Sequence, residues 1–100
     1  MPMMFAMSVL VSWTPHPSTP ANAGYVIERM VGDGNWEIGG VVPAGATTFE
    51  DVNVAAGLVY HYRVRAFTDT EVSLPSAEVH VDLNGTFDGP TGVQAALKIQ

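Results

Sequence analysis

The stretch Val54–Phe67, VAAGLVYHYRVRAF, decides how the chain is read. Tyr60, Tyr62, Val64 and Ala66 share one parity, while His61, Arg63 and Arg65 share the other. Successive side chains of a strand point to opposite faces, so this is a strand with one face in a core and one in water. Gly57, a turn residue, precedes it, with the apolar Val54 and Leu58 on either side. A tyrosine entering a strand from such a corner can bury its ring and return its hydroxyl to backbone a few residues upstream. Tyr60 is placed for that bond, with Val54 or Ala55 as the expected partner. The other strands are expected to assemble on this one.

Toward the N-terminus, Ser8–Trp13 (SVLVSW) alternates, with Val9, Val11 and Trp13 on one face. Thr14–Gly24 carries three prolines and reads as a loop, because proline removes ladder donors. Tyr25–Met30 is a second strand, with Tyr25 and Ile27 on one face and Val26 and Glu28 on the other. The turn Gly32-Asp33-Gly34-Asn35 folds it back onto a short strand Trp36–Ile38, so Tyr25–Ile38 is expected to be a hairpin. Gly39 and Gly40 read as a loosening of the chain before Val41, Val42 and the Pro43-Ala44-Gly45 turn. Thr47–Asp51 is a further short strand, with Thr47, Phe49 and Asp51 on one side. Beyond the central strand, Thr68–Glu71 is a polar turn and Ser76–Leu83 (SAEVHVDL) the last strand. Short strands at regular spacing, with no 3.6-residue period, imply an all-β sandwich.

One hundred residues suit one domain with a single core. The absence of cysteine removes disulfides and thiolate metal sites. Ten carboxylates stand against four cationic side chains, for a net charge of −6. Only Arg63 and Arg65 sit together, which argues against nucleic acid as a partner, since phosphate backbones need clustered Lys and Arg. No apolar run approaches the roughly 20 residues of a membrane span, so no membrane insertion is expected. MPMMFAMSVLV lacks the basic flank and small-residue cleavage site of a signal peptide.

From about Ser8 to Leu83 the motifs SVLVSW, YVIER, TTFEDVNVAAGLVYHYRVRAF and SLPSAEVHV, in that order, resemble a fibronectin type III domain of the bacterial and phage-tail style. The resemblance implies an immunoglobulin-like, seven-strand sandwich of two antiparallel sheets, three strands in one and four in the other. It also implies a core of Trp13, Tyr25, Ile27, Val54, Tyr60, Tyr62, Val64 and Ala66. Residues 1–83 would then form the sandwich, and 84–100 a linker plus a strand like the start of a following repeat. Two features depart from the family. Ala56 stands where the corner proline is usual, and the first strand is missing or replaced.

A missing first strand leaves the edge beside Val9, Val11 and Trp13 open to strand addition. The tail Gly89–Gln100 has a proline entry and alternation at Val93, Ala95 and Leu97. In the family the first strand begins at the pole opposite to where the last ends. A sandwich is about 30 Å long, whereas the six residues Asn84–Gly89 span at most roughly 20 Å. Two outcomes are expected: either the tail pairs with SVLVSW of another molecule, in a reciprocal dimer or a head-to-tail chain, or MPMMFAM covers the edge and the tail stays loosely packed.

Candidate chemistry is sparse. His16, His61 and His80 have no local metal-ligand spacing, and exposed surface histidines are the plain reading. Asp82, Asn84 and Asp88 around Gly85 begin to supply calcium oxygens, but the bidentate Glu of a full loop is missing. Asn84-Gly85-Thr86 is a glycosylation sequon. Trp36 can stack on a sugar ring or pack over the Tyr25 strand. Arg63 and Arg65 can grip a carboxylate of a partner, or pair with Glu28 and Glu37. No nucleophile–base pair, phosphate loop or paired-carboxylate cleft is present, so neither an enzyme nor a cofactor is expected. What the resemblance implies is a spacer or protein-contact module of a surface, secreted or virion protein. A carbohydrate-binding accessory module of a secreted glycosidase is the alternative, with Trp36, Arg63 and Arg65 as the interaction surface in question.

Overall fold

The computed structural model describes residues 8–83 and 92–98. Alternating burial appears where the sequence alternates. In β1 (Ser8–Thr14), Val9, Val11 and Trp13 point inward; in β5 (Val59–Phe67), Tyr60, Tyr62, Val64 and Ala66 do. Between them lie β2 (Gly24–Val31), β3 (Glu37–Val42) and β4 (Thr48–Asp51), and after them β6 (Val79–Asp82) and β7 (Gly92–Lys98). The described residues contain no helix.

The strands form a three-stranded sheet, β4-β1-β7, and a four-stranded sheet, β3-β2-β5-β6, in a β-sandwich-like arrangement. One buried cluster draws on both: Val9, Val11 and Trp13 from the first, and Tyr25, Ile27, Tyr60, Tyr62, Val64 and Val81 from the second. The Trp13 and Tyr25 rings meet across the layers at 5.3 Å between centroids. Val54 is half-buried and packs against this cluster from the corner. Burial of side chains this size contributes roughly 1.5–3 kcal/mol each, which makes this cluster the main stabilising feature.

Three elements differ from the sequence expectation. β3 runs through Gly39 and Gly40 to Val42, so the hairpin is Gly24–Val42 and not Tyr25–Ile38. The reason is a close approach: a Cβ on Gly40 would lie 2.4 Å from the Phe49 ring of β4, and glycine lets the two layers meet there. The strand expected over Ser76–Leu83 is β6, Val79–Asp82. Before it, Ser73 and Ser76 replace the ladder by hand. The N–H groups of Ala66 and Val64 donate to Ser73 Oγ and Ser76 Oγ at 2.9 Å each, and the serine N–H groups return bonds of 2.8 Å to the same residues' carbonyls. Pro75, between them, has no N–H to offer.

The third difference is at the open edge. Residues 92–98 lie on β1 of their own chain, in register from Ser8↔Gly92 to Thr14↔Lys98, and they run parallel to it. The distance argument for another molecule assumed the antiparallel direction of the family's first strand. A parallel strand begins beside Ser8, where β1 itself begins, so the chain need not first travel the length of the sandwich. The strand set apart in the sequence with residues 84–100 thereby belongs to the same sheet as β1 and β4. All other strand pairings among the described residues are antiparallel.

Candidate functional site

The outward face of the four-stranded sheet carries the residues that sequence analysis singled out. On β5, His61, Arg63 and Arg65 alternate with the buried row, and register places them opposite Met30, Glu28 and Val26 of β2. Val41 and Ile38 of β3 complete the cross-strand rows, at 57% and 68% exposure. The face therefore has a cationic centre and an apolar border on the β3 edge.

At the centre, one carboxylate oxygen holds both arginines. Glu28 Oε1 accepts from Arg63 Nε at 2.6 Å and from Arg65 Nε at 3.0 Å. Arg65 Nη1 also donates to the Ser73 carbonyl. The Arg63 guanidinium lies over the Trp36 ring, 4.1 Å from its centroid. This cation–π contact and the Nε bond fix the plane of the group. Its two terminal nitrogens have no acceptor among the described residues. Burial pushes the Glu28 carboxyl up, but hydrogen bonds from Arg65 and Arg63 prevail and hold it below its ordinary value. Two guanidinium groups share one carboxylate, leaving one net positive charge on a chain of −6.

Of the two carboxylates expected to neutralise the arginines, Glu28 does so, while Glu37 stands opposite Arg29 in the register. Trp36 is half-buried, and Arg63 covers one face of its ring. Tyr60 is buried, and its hydroxyl accepts from the Ala55 N–H at 2.9 Å. Gly57 makes the corner with φ of 90°.

The histidines separate. His16 sits in the β1–β2 loop with its Nδ1 near Ser18. His61 and His80 come together across β5 and β6, with ring centroids 5.9 Å apart and Glu78 against His61. Among the described residues no three His or acidic side chains are grouped to hold a metal ion. The calcium and glycosylation readings fall on residues 84–88, outside the described residues, apart from Asp82.

The sequence reading missed a second arginine–carboxylate site, inside the molecule. Asp51 of β4 is 1% exposed and accepts from Arg29 Nη1 at 2.9 and 2.8 Å, from the Tyr62 hydroxyl at 2.8 Å and from the Asn53 N–H at 3.0 Å. Arg29 Nη1 also reaches the Asn53 carbonyl. Burial disfavours the charged guanidinium, yet the hydrogen bond and charge of Asp51 outweigh it and raise the Arg29 pKa. Burial, and then Asp51, push the Tyr62 hydroxyl far above its ordinary value. Parity held the signal: Arg29 continues the inward row of Tyr25 and Ile27, and Asp51 that of Phe49. No family model matches the chain, and no curated protein matches it either.

Proposed function

We propose that this chain is a non-catalytic, fibronectin type III-like module, acting as a spacer or protein-contact domain in a larger extracellular, cell-surface or virion protein. The observation that carries the reading is the Arg63 fork. Its plane is held by Trp36 and Glu28, and its two terminal nitrogens stay available to a carboxylate. A planar, preorganised guanidinium binds a carboxylate through two parallel bonds at little entropic cost. The exposed Ile38 and Val41 supply apolar area beside it. The partner is accordingly a protein segment bearing Asp or Glu. Self-contact belongs to the same reading: the parallel seat that β7 takes on β1 can be filled by residues 89–100 of a second copy, giving a reciprocal dimer.

Amide chemical-shift titration with a Glu-rich hexapeptide tests the reading. Shifts should map to Val26–Met30, Ile38–Val41 and His61–Arg65, and Arg63→Ala should abolish them. Shifts scattered over the whole surface would defeat it. Glycan-array binding lost in Trp36→Ala would favour the carbohydrate module instead, although Arg63 already occupies one face of that ring. Native mass measurement across concentration reports on the exchange separately: a monomer throughout removes the dimer and leaves the sheet face untouched.

A further inference from the structure

At one end of the sandwich a cleft of about 260 Å³ opens between the β1–β2 loop and the segment after β5, where the lining residue Ser73 accepts from Arg65 Nη1 through its carbonyl. Both walls are turns closed by their own hydrogen bonds. On one side the Thr19 N–H donates to the His16 carbonyl at 2.9 Å, and the Ala23 N–H to the Pro20 carbonyl at 3.0 Å. On the other the Thr68 N–H donates to the Glu71 carbonyl at 2.8 Å, next to a bridge between Phe67 and Val72. The cleft is thus held open by local structure before any ligand arrives.

Its lining divides by chemistry. Pro20, Ala23, Ala66, Phe67 and Val72 are apolar, the other lining residues are polar, and Glu71 is the one carboxylate among them. No arginine or lysine lines it. The Glu71 carboxylate has no hydrogen-bond or ion-pair partner among the described residues. His16 Nδ1 lies against Ser18, 3.1 Å from its N–H, and not against Glu71. A drug-sized ligand occupies roughly 300–1,000 Å³, so this cleft suits something the size of a side chain.

An aliphatic stem ending in a positive charge fits a lining that mixes apolar side chains, one of them the Phe67 ring, with hydroxyls and one carboxylate that has no partner among the described residues. We infer that this cleft binds a primary alkylammonium group, as carried by a lysine side chain or a free aliphatic diamine. The net charge of −6 adds a long-range attraction for either. This site is independent of the Arg63 fork and does not rest on it.

The test is an amide-shift titration of the whole chain with three probes: N-acetyl-lysine methylamide, 1,5-diaminopentane, and the lysine derivative acetylated on its side-chain nitrogen. The first two should give saturable shifts confined to Thr19–Gly24 and Phe67–Ser73, and the acetylated probe at least fivefold weaker binding. Glu71→Gln, at an exposed position, should weaken the charged probes at least fivefold with the rest of the spectrum unchanged. A lysine derivative that binds as tightly as the diamine points to a protein side chain as the natural source. A diamine at least fivefold tighter points to a free polyamine. Equal binding of the acetylated probe, or unchanged binding in Glu71→Gln, overturns the proposal.

Discussion

Glu28 and Arg29 are neighbours in the chain, yet each enters an arginine–carboxylate network on a different face of β2. Outside, Glu28 takes two arginines with 18% of its side chain exposed. Inside, Arg29, itself 17% exposed, reaches across from one sheet to Asp51 of the other, and it is Asp51, at 1% exposure, that is out of water. The groups are alike, and their surroundings set what they do. In water an ion pair gains little, because screening and side-chain entropy offset the attraction, and about 0–1 kcal/mol remains. Away from water, a charge that loses its partner has no substitute. The inner network therefore fastens two sheets, while the outer one holds a guanidinium plane in position at small energetic cost.

The sharpest way to break the contrast is Asp51→Ala. It leaves the Tyr62 hydroxyl without its acceptor and Arg29 with the Asn53 carbonyl alone, and loss of one partner of a buried pair costs about 3–5 kcal/mol. Glu28→Ala should cost about 0–1 kcal/mol. Urea denaturation of both variants measures the difference. Equal losses would mean that the two faces are not energetically distinct.

Tyr62→Phe comes next. It removes one hydrogen bond to a charged acceptor while Arg29 stays in place, and about 1.5–3 kcal/mol is expected. The same residue predicts an alkaline limb. Its folded-state pKa is raised, so its contribution is complete below the unfolded value near 10 and declines as pH rises beyond that. The wild-type midpoint should fall more steeply between roughly pH 9 and 11 than that of Tyr62→Phe. Parallel curves would remove Tyr62 from the network.

Tyr60→Phe sharpens the comparison within one strand. Tyr60 and Tyr62 are both buried on the inner face of β5, but Tyr60 serves a neutral backbone N–H at Ala55. About 1 kcal/mol is expected, less than for Tyr62. An unchanged denaturation midpoint would show that the corner bond contributes nothing.

The central strand and its tyrosine were legible because period-two alternation and a glycine corner are local signals. The pairing of sheet layers was less so. Gly40 belongs to a strand only because Phe49, nine residues away, needs the space of a Cβ. The serine pair before β6 could not be read from propensity, since its role depends on which β5 groups lie opposite. The direction of β7 is likewise a property of the whole sheet: alternation in GVQAALK is the same whether it runs with β1 or against it. On the candidate face the residue types were legible, but the stacking of Arg63 on Trp36 depends on how the β2–β3 turn delivers the ring.

The smallest effect tests what Glu28 does for the outer face. In Glu28→Gln the amide oxygen still accepts from Arg63 Nε, and Trp36 still carries the guanidinium plane, so stability should change by about 0.5 kcal/mol or less. Its pKa is lowered in the folded chain, so the carboxylate's contribution is present above the ordinary glutamate value. It disappears as pH falls through the depressed one, and the variant should have the shallower acid limb. Binding of the acidic peptide is where two effects oppose each other. Losing the negative charge relieves repulsion of the incoming carboxylate; at a separation on the order of 6 Å in water this is about 0.7 kcal/mol, or roughly threefold in affinity. Exchanging the charge-assisted Nε bond for a weaker neutral one loosens the fork, which weakens binding. Because the ring contact survives, relief of repulsion should win, and Glu28→Gln should bind about threefold more tightly at low salt. That gain should shrink as salt screens the charge. A loss of affinity instead would mean that Glu28, not Trp36, orients Arg63, and the outer network would then resemble the inner one in kind and differ only in exposure.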